Sequence, residues 1–447
     1  MGAPVRRISR CAPCRGRVSV TLLGAAAGLF AAVFFVLIFL PWRPVGELPP
    51  VAVQPVHRVD PRLDRCAACH RRVTPGIVEQ WAESTHARRG VTCRDCHQVA
   101  EASPYAQAHV GTHISTTVTP RVCGQCHARV TEEFSQSRHS LPAWASLTGT
   151  RDFARDPRLM ALWSETSHPP PDPGLVLSSR IALHDLEGPG VTPLACESCH
   201  EIGRPNLDGS AGSCSKCHLR HRFNLEQVRR PETCTLCHAG PDQPQAEIFA
   251  QSPHGVIYAT QEHLYHFSQV TGRLGVDDFP APTCQICHLS GFGGQQTTHD
   301  VGERLSWYLQ MPIARHRPEH EAGRAAMREV CRQCHSTDFI GRQFDAADQV
   351  VAWTNARIEE ANAILAGLIR ERIIPPGDFS DPLHHLAFNL WHYGGRAARF
   401  GAFMQGPAFT QWSGLYPLMR DLDNLRRGAS EARRRAEQVS AEAAAGG

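Results

Sequence analysis

The stretch Cys66-Ala67-Ala68-Cys69-His70 is the first copy of a five-residue motif, Cys-x-x-Cys-His, that decides the kind of fold this chain adopts. Two thiols at this spacing each form a thioether with one vinyl group of a haem, and the adjacent histidine reaches the iron from the same side. The motif occurs eight times, and its attachment residues and proximal histidines are Cys66, Cys69 and His70; Cys93, Cys96 and His97; Cys123, Cys126 and His127; Cys196, Cys199 and His200; Cys214, Cys217 and His218; Cys234, Cys237 and His238; Cys284, Cys287 and His288; and Cys331, Cys334 and His335. The repeat predicts eight covalent c-type haems.

Zinc sites or disulfides are the alternative explanation of these cysteines. Zinc sites also pair Cys-x-x-Cys units, but zinc coordination does not require a histidine at the next position in every copy. With 25 histidines in 447 residues, eight such coincidences would arise roughly once in ten billion tries. The motifs use all cysteines except Cys11 and Cys14, so no exported thiol is left for a separate disulfide framework.

The composition agrees with an interior filled by porphyrins. Aromatic residues make up 7% of the chain, while Gly (36) and Pro (33) are abundant, so a large aliphatic core is not expected. The motif-bearing region offers only about 34 residues for each haem. A net charge of +3 with 20% charged residues gives no reason to expect nucleic-acid binding.

The N-terminus predicts a membrane anchor. Residues 18–40 carry no charge over 23 positions, which is enough to cross a ~30 Å hydrocarbon layer, and five arginines precede them. The positive-inside rule places residues 1–17 in the cytoplasm and the haem domain on the periplasmic side, as a single-pass membrane protein. A cleaved signal peptide is the alternative, although the apolar run is long for one. Cys11 and Cys14 are expected to be reduced cytoplasmic thiols, with a redox or metal role as the alternative.

The rest of the chain divides into segments that differ in composition and residue pattern. Residues 41–61 read as a Pro-rich linker, 62–343 as the octahaem domain, 344–427 as a helical region and 428–447 as a charged tail, either helical or disordered. Long helices are predicted from Phe344 to Pro375, from Asp381, and from Thr410 to Arg427. The fold class is mainly α with much coil, a haem-packed core followed by a C-terminal bundle of long helices, and an N-terminal transmembrane helix.

Histidines outside the motifs are candidates for the second axial position of each iron. A haem with histidine on both faces carries electrons, whereas an open sixth position admits a substrate. Seventeen histidines remain after the motif histidines, so counting leaves open whether one iron is free.

The flanks of the motifs resemble the octahaem hydroxylamine oxidoreductase family. The resemblance runs in order from Cys66 to Leu422 and includes a long gap between the third and fourth motifs. It is carried by GIVEQWAESTHA, VTPRVCGQCH, CSKCHLRHRF, CTLCHAGPDQPQAEIFAQSPHG, TTHDVGERLSW and RFGAFMQGPAFTQWSG. The resemblance implies a catalytic haem at the fourth motif, held by His200, and a homotrimer with contacts through the C-terminal helices. It also implies distal ligands at His86, His109, His139, His221, His254, His299 and His392, with His113 competing with His109 and His385 with His392.

Two positions depart from the family pattern. Hydroxylamine-oxidising members carry a tyrosine that cross-links to the catalytic haem of a neighbouring subunit, and the matching residue here is Phe409, with Tyr416 as the alternative. Members without that tyrosine are associated with reductive chemistry. The family's pocket Asp-His pair is here Asp242-Gln243, and glutamine cannot deliver a proton at neutral pH. Asp242 is expected to organise water or accept a proton; a plain loop turn is the alternative.

These observations predict a haem-dependent oxidoreductase that reduces nitrite or hydroxylamine toward ammonium, with His200, Asp242 and Gln243 at the reacting centre. Electrons are expected from a quinol-linked or cytochrome partner. Hydroxylamine oxidation is the alternative reaction, and a non-enzymatic electron-transfer cytochrome is the alternative from another class.

Overall fold

The computed structural model describes residues 64–148, 157, 190–377 and 379–445. The predicted cytoplasmic segment 1–17, the predicted anchor 18–40 and the linker 41–61 lie outside these residues, as do Cys11 and Cys14. None of the helices within the described ranges combines the length and the apolar character that a bilayer crossing requires.

The motif-bearing region consists of short helices joined by coil. A helical turn suits the motif because residues i, i+3 and i+4 lie on one face, so both cysteines and the histidine point the same way. In chain order, the helices are α1 (Arg65–Val73), α2 (Pro75–Glu83), α3 (Thr85–Arg88), α4 (Cys93–His97), α5 (Pro120–Gly124), α6 (Ala128–Gln136), α7 (Leu141–Thr148), α8 (Cys196–His200), α9 (Leu225–Arg229), α10 (Pro231–Thr235), α11 (Gln245–Gln251), α12 (Pro253–Gln261), α13 (Cys284–His288) and α14 (His320–Cys331). Single 3₁₀ turns cover Glu201–Gly203, Cys214–Lys216 and Glu262–Leu264.

Asp64 shows how the chain starts these helices and joins them. Its Oδ1 accepts hydrogen bonds from the backbone N–H groups of Cys66, at 2.8 Å, and Ala67, at 3.2 Å, which caps α1. Its Oδ2 accepts from the backbone N–H of Cys93 at 3.3 Å. One carboxylate therefore caps the first motif helix and holds the second motif beside it.

Two small antiparallel sheets complete this region, β1 (Gln107–His109) with β2 (Thr112–Ile114), and β3 (Trp307–Tyr308) with β4 (Arg315–His316). In the first hairpin His109 pairs with Thr112 and Ala108 with His113. Residues in adjacent pairs point to opposite faces of a hairpin, so His109 and His113 face opposite ways. The strand register therefore determines which of these two candidate ligands lies on a given face of the hairpin.

Helices form the C-terminal region, as the sequence predicts, with different bounds. They are α15 (Thr337–Arg370), α16 (Pro382–Asn389), α17 (Arg396–Phe403), α18 (Pro407–Phe409) and α19 (Tyr416–Ala445), with π turns at Leu390–Gly395 and Thr410–Leu415. The first begins before Phe344, because the Ser336 hydroxyl directly after the eighth motif accepts a hydrogen bond from the backbone N–H of Phe339. The tail beyond Arg427 is helical up to Ala445, which resolves the open alternative for that segment.

The end of α15 follows from its own backbone geometry. Arg372 has a φ of 59°, in the left-handed region, and the N–H of Ile373 donates to the carbonyl of Leu368 at 2.9 Å. This is the hydrogen-bond pattern of a Schellman C-cap. Pro375 and Pro376 follow and prevent the helix from resuming. The sequence-based end at Pro375 is therefore about one turn too late.

An aliphatic core holds the C-terminal helices together. Its buried members are Ile358, Ala361, Leu368, Ile374, Leu383, Ala387, Leu390, Leu418, Leu422, Leu425 and Ala429. Close approach elsewhere depends on glycine: a Cβ on Gly414 would lie 2.5 Å from the Cα of Ala398. This core is an ordinary helix-packing core, whereas the motif-bearing region holds a mainly aromatic buried cluster that includes Tyr265, Phe267 and Phe279.

Arg399 is a fully buried cation inside this bundle. Burial, and then the charge of Arg396, lower the pKa of Arg399 to about 9. Its guanidinium donates to the carbonyl oxygens of Gly395 (3.1 Å), Pro312 (3.1 Å) and Met311 (2.8 Å) and to Oδ1 of Asn355 (3.1 Å). Arg399 thus ties the loop before β4 to α15 and α17.

We expect Arg399→Ala to lower the free energy of unfolding by about 3–5 kcal/mol, because four acceptors around the buried guanidinium lose a charged donor. Denaturant unfolding of the haem-loaded protein measures this loss. Arg434→Ala, at an exposed position of α19, is the matched control and is expected to change it by less than about 0.5 kcal/mol. Equal free energies of unfolding for the two variants would show that Arg399 does not stabilise the fold.

Candidate functional site

One continuous cavity of about 3740 Å³ runs through the motif-bearing region. A site for a single small ligand measures roughly 300–1,000 Å³, so this cavity is several times larger than one such site. All eight motif histidines line it, together with His86, His109, His139, His221, His254, His299 and His392. Every motif cysteine except Cys334 lines it as well. His113 and His385 are not among the lining residues.

Six motif histidines each face a second histidine ring across this cavity. The separation of ring centroids is nearly constant, from 5.8 to 6.4 Å. The pairs are His70–His109, His97–His221, His127–His86, His218–His299, His238–His139 and His335–His254. Six of the seven non-motif histidines that the resemblance suggests thus lie opposite a motif histidine.

The constant separation is a test of whether haems fit these residues. Imidazole nitrogen binds a transition metal at ~2.0–2.1 Å, so two imidazoles on opposite sides of one iron have ring centroids about 6 Å apart. The observed distances match this value. The cysteine and histidine side chains of the six motifs would therefore hold a covalent haem with histidine on both faces.

Hydrogen bonds orient the motif histidines. Nδ1 of His70 lies 2.8 Å from Oγ1 of Thr74, and Nδ1 of His97 lies 2.7 Å from the carbonyl oxygen of Ser115. Nδ1 of His200 lies 2.7 Å from the carbonyl oxygen of Ala143. A ring whose Nδ1 is held by the protein presents Nε2 to the metal, which is the usual arrangement of a ligand histidine.

Burial keeps several of these imidazoles neutral, which is the form that binds a metal. Burial, followed by the charges of His238 and His288, lowers the pKa of His139 to about 3. Burial, and then the charge of His299, lowers the pKa of His218 to about 4. Burial, and then the charge of His238, lowers the pKa of His288 to about 4.

Contacts between cysteines of different motifs show which motifs are neighbours. In three pairs the cysteine side chains are close neighbours: Cys123 with Cys214, Cys234 with Cys284, and Cys237 with Cys199. Four further pairs interact electrostatically: Cys66 with Cys93, Cys96 with Cys123, Cys217 with Cys234, and Cys287 with Cys331.

The order of these contacts differs from the order in the sequence. When the motifs are numbered along the chain, these contacts join the first to the second, the second to the third, the third to the fifth, and then the fifth, sixth, seventh and eighth in order. The fourth motif contacts the sixth, through Cys199 and Cys237. The third and fifth motifs adjoin although the fourth lies between them in sequence. The fourth motif thus lies beside the sixth and not between the third and the fifth.

The fourth motif has a different environment from the six paired motifs. Among the described residues, no second histidine ring is paired with His200, and the same holds for His288. Residues 149–156 and 158–189 lie outside the description. The α7 helix supports His200 through Ala143 and through Oγ of Ser146, which is 3.0 Å from Nδ1. A polar cluster that lines the same cavity lies near this position.

That cluster consists of Asp242, His392 and Arg396. Oδ1 of Asp242 lies 2.9 Å from Nε2 of His392 and accepts a hydrogen bond from Arg396. Burial raises the pKa of Asp242, but the hydrogen bond with His392 and the positive charges of Arg396, His392 and His200 hold it below its ordinary value. The carboxylate is therefore ionised at neutral pH and electrostatically close to His200.

Sequence reasoning missed Arg396. It lies four residues after His392, so both side chains occupy one face of a helical segment. Its guanidinium also donates to the carbonyl oxygen of Gln310 at 2.9 Å. The i, i+4 spacing of a histidine and an arginine was the only available signal, and it does not by itself indicate a pocket.

Gln243 and Phe409, the two departures from the family pattern, are placed differently. Gln243 lines the cavity, and its Oε1 accepts a hydrogen bond from Nε2 of Gln245 at 3.1 Å. Phe409 is buried against Ile248 and Ala397. Tyr416 is 56% exposed. A phenyl ring, without a phenol oxygen, therefore occupies the position where the resemblance expects the cross-linking tyrosine.

Comparisons with known proteins agree with this geometry. Residues 192–381 match the model of a family described as seven-times multi-haem cytochrome CxxCH. The chain is 26% identical over 376 residues to a probable nitrite reductase–hydroxylamine oxidoreductase fusion protein of Kuenenia stuttgartiensis; the match covers 70% of this chain and 39% of that protein. The chain therefore spans well under half of that curated relative.

Two solved structures share the fold. One, a hypothetical multihaem protein, superposes with a TM-score of 0.68 and 22% identity over 85% of this chain and 96% of that one. The other, the reducing hydroxylamine oxidoreductase-like protein complex of Kuenenia stuttgartiensis, gives a TM-score of 0.63 and 22% identity over 85% of this chain and 87% of that chain. The mainly helical fold predicted from the sequence is confirmed.

Proposed function

We propose that this chain is a multihaem cytochrome of the hydroxylamine oxidoreductase-like type, that it carries eight haems, and that it reduces nitrite or hydroxylamine toward ammonium at the fourth motif. The observation that carries this proposal is the carboxylate of Asp242 near His200, a motif histidine that, like His288, faces no second histidine ring among the described residues. Six iron positions have a histidine ring on both sides. Near His200 the cavity contains Asp242, and the charge of that histidine helps to lower the pKa of the carboxylate.

A haem with one free axial position supplies a metal site for the substrate nitrogen and an entry point for electrons. His200 would hold the iron from one side, with its ring oriented by Ala143 and Ser146. Asp242 and its partners would line the other side. The paired motifs, which run to the fourth through the sixth, would serve as the electron path.

The reaction consumes protons, and the chain must supply them. Nitrite, with six electrons and eight protons, becomes ammonium and two waters; hydroxylamine, with two electrons and three protons, becomes ammonium and one water. Asp242 is ionised and lines the cavity, so it can take up a proton that arrives from solvent as hydronium and pass it to a bound oxygen. The electrons would come from a quinol-linked or cytochrome partner.

The reductive direction rests on Phe409. A buried phenyl ring without a phenol oxygen is unsuited to a haem cross-link of the kind that the oxidising members carry. One structural neighbour is itself described as a reducing protein. Hydroxylamine oxidation remains the second candidate reaction, because a protein whose printed name includes that activity is similar over 70% of this chain.

Location and assembly belong to the same proposal. Residues 18–40 would anchor the chain in the cell membrane with the haem domain on the periplasmic side, and the C-terminal helices would form the contacts of a homotrimer. The charge pattern around residues 18–40 supports the first point. The family resemblance supports the second.

The proposal predicts a ligand-responsive haem at the fourth motif. In the oxidised protein, electron paramagnetic resonance is expected to show low-spin signals from the six paired haems and a high-spin signal from the haem of His200, which cyanide or nitrite is expected to convert. An all-low-spin spectrum without any response to either ligand would favour the non-enzymatic electron-transfer cytochrome instead.

A further inference from the structure

Three arginine side chains surround one tyrosine ring in the large cavity. Their Cζ atoms lie 5.5 Å (Arg138), 5.8 Å (Arg315) and 4.9 Å (Arg317) from the ring centroid of Tyr308. All four residues line the cavity. The face of a phenol ring attracts a cation but, unlike a carboxylate, does not neutralise its charge. The ring therefore gathers three positive charges without cancelling them.

Two separate parts of the chain build this arginine cluster. Tyr308 of β3 pairs with Arg315 of β4, and directly opposed residues of an antiparallel pair project to the same face. Arg317 follows two positions later, and its backbone N–H donates to the carbonyl oxygen of Ser306 at 3.0 Å. Arg138 comes from the segment between α6 and α7. The fold thus brings the three guanidinium groups together across more than 170 residues of sequence.

The charges of the cluster have few partners in the protein. Among the described residues, the side chains of Arg138 and Arg315 have neither a hydrogen-bond acceptor nor an ion-pair partner. Arg317 interacts electrostatically with Asp300, whose pKa burial raises and the charge of Arg317 lowers in part. Arg138 is half-buried and Arg315 is exposed, and their guanidinium nitrogens are accessible from the cavity. The cluster therefore keeps a net positive charge that an anion in the cavity can reach.

The position of the cluster indicates which anion this is. Arg138 directly precedes His139, which faces the motif histidine of the sixth motif at 5.8 Å. Asp300, the residue that interacts with Arg317, directly follows His299, which faces the motif histidine of the fifth motif at 6.4 Å. Every haem carries two propionate carboxylates at its rim. An arginine next to an axial histidine is well placed to meet that rim.

We propose that Arg138, Arg315 and Arg317 form a carboxylate site that holds propionate groups of the haems at the fifth and sixth motifs. This inference rests on the haem-binding part of the proposed function and is independent of the reaction. A guanidinium group binds a carboxylate through two parallel hydrogen bonds. A covalent haem supplies its carboxylates permanently, which permanently clustered cations require, whereas nitrite would be present only during turnover.

The test measures haem potentials in Arg138→Gln, which removes the charge and keeps a polar side chain. The haem-loaded protein is titrated by potential in nitrite-free buffer, and electron paramagnetic resonance follows the low-spin signals of the paired haems. We expect the midpoint potential of at least one paired haem to fall, because the lost cation no longer favours the added electron. The expected fall corresponds to about a tenfold smaller equilibrium constant for reduction, which is ~59 mV for a one-electron couple.

Two further variants separate charge from structure. Arg138→Lys keeps the positive charge and is expected to keep the potentials close to those of the wild type. Arg342→Gln is the matched control, because Arg342 is exposed on α15 and already forms an ion pair with Asp338. It is expected to leave every potential unchanged. If Arg138→Gln does not fold, Arg317→Gln carries the same test from the hairpin.

Unchanged low-spin potentials in both Arg138→Gln and Arg317→Gln would overturn the inference. Unchanged potentials together with a raised KM for nitrite would also overturn it, and would assign the arginines to the substrate anion instead. The titration contains no substrate. A wild-type protein in which no haem responds to nitrite or cyanide therefore refutes the proposed reaction and leaves the result for the arginine cluster intact.

Discussion

His200→Ala is expected to lower the turnover of nitrite and hydroxylamine by more than about 10²-fold, the loss that follows when one essential group of an active site is removed. The variant keeps Cys196 and Cys199, so its haem remains attached, but the iron loses the imidazole that α7 orients through Ala143. The other motifs are untouched. Steady-state reduction with a chemical electron donor measures the loss, and intact mass confirms that the haem count is unchanged.

His113→Ala is the control for this experiment, because His113 lies outside the cavity lining, on the opposite face of the hairpin from His109. It is expected to retain wild-type turnover. Added imidazole is expected to restore part of the activity of His200→Ala by occupying the space of the missing ring. Full activity of His200→Ala without imidazole would locate the chemistry at another motif.

Asp242→Asn has the second largest expected effect, a decrease in kcat of about 10²–10⁴-fold with an unchanged haem spectrum. The amide keeps the shape of the side chain but cannot accept a proton as the carboxylate does, and it loses the charge that Arg396 and His392 face. Because the pKa of Asp242 lies below its ordinary value, the wild-type carboxylate is ionised throughout the neutral range. The loss is therefore expected to have the same size from about pH 5 to 8.

Asp423→Asn is the matched control, since Asp423 forms an exposed ion pair with Arg427 at 3.5 Å on α19, away from the cavity. It is expected to leave kcat unchanged. A pH-dependent loss in Asp242→Asn that vanishes toward pH 5 would mean that the wild-type carboxylate is protonated there, contrary to the lowered pKa. An active Asp242→Asn would show that protons arrive by another route.

The positions of the axial histidines illustrate how far sequence reasoning extends. The family resemblance, which the comparisons confirm, pointed to seven distal histidines, and six of them lie opposite a motif histidine at about the distance that an intervening iron requires. His392 was assigned to the same class on the same grounds. Its contacts with Asp242 and Arg396 differ from those of the other six, because they depend on where a C-terminal helix crosses the cavity.

The attachment sites could be predicted from the sequence because their chemistry is local. A cysteine, a second cysteine three positions later and the next histidine share one face of a helical turn, so the residues alone specify a covalent haem site. The long C-terminal helices could be predicted for a related reason, since apolar residues recur at helical spacing. Their bounds were less accurate, because the cap at Ser336 and the turn at Arg372 depend on single hydrogen bonds and one backbone angle.

The sequence by itself determined that this chain holds Cys-x-x-Cys-His motifs in a mainly helical fold, because those features arise from residues a few positions apart. Only the tertiary structure decided which motifs are neighbours. The fourth motif adjoins the sixth through Cys199 and Cys237, while the third adjoins the fifth. It also brought Asp242, His392 and Arg396 together across about 150 residues of sequence. Contacts of that range are set by how helices pack, which no local pattern encodes.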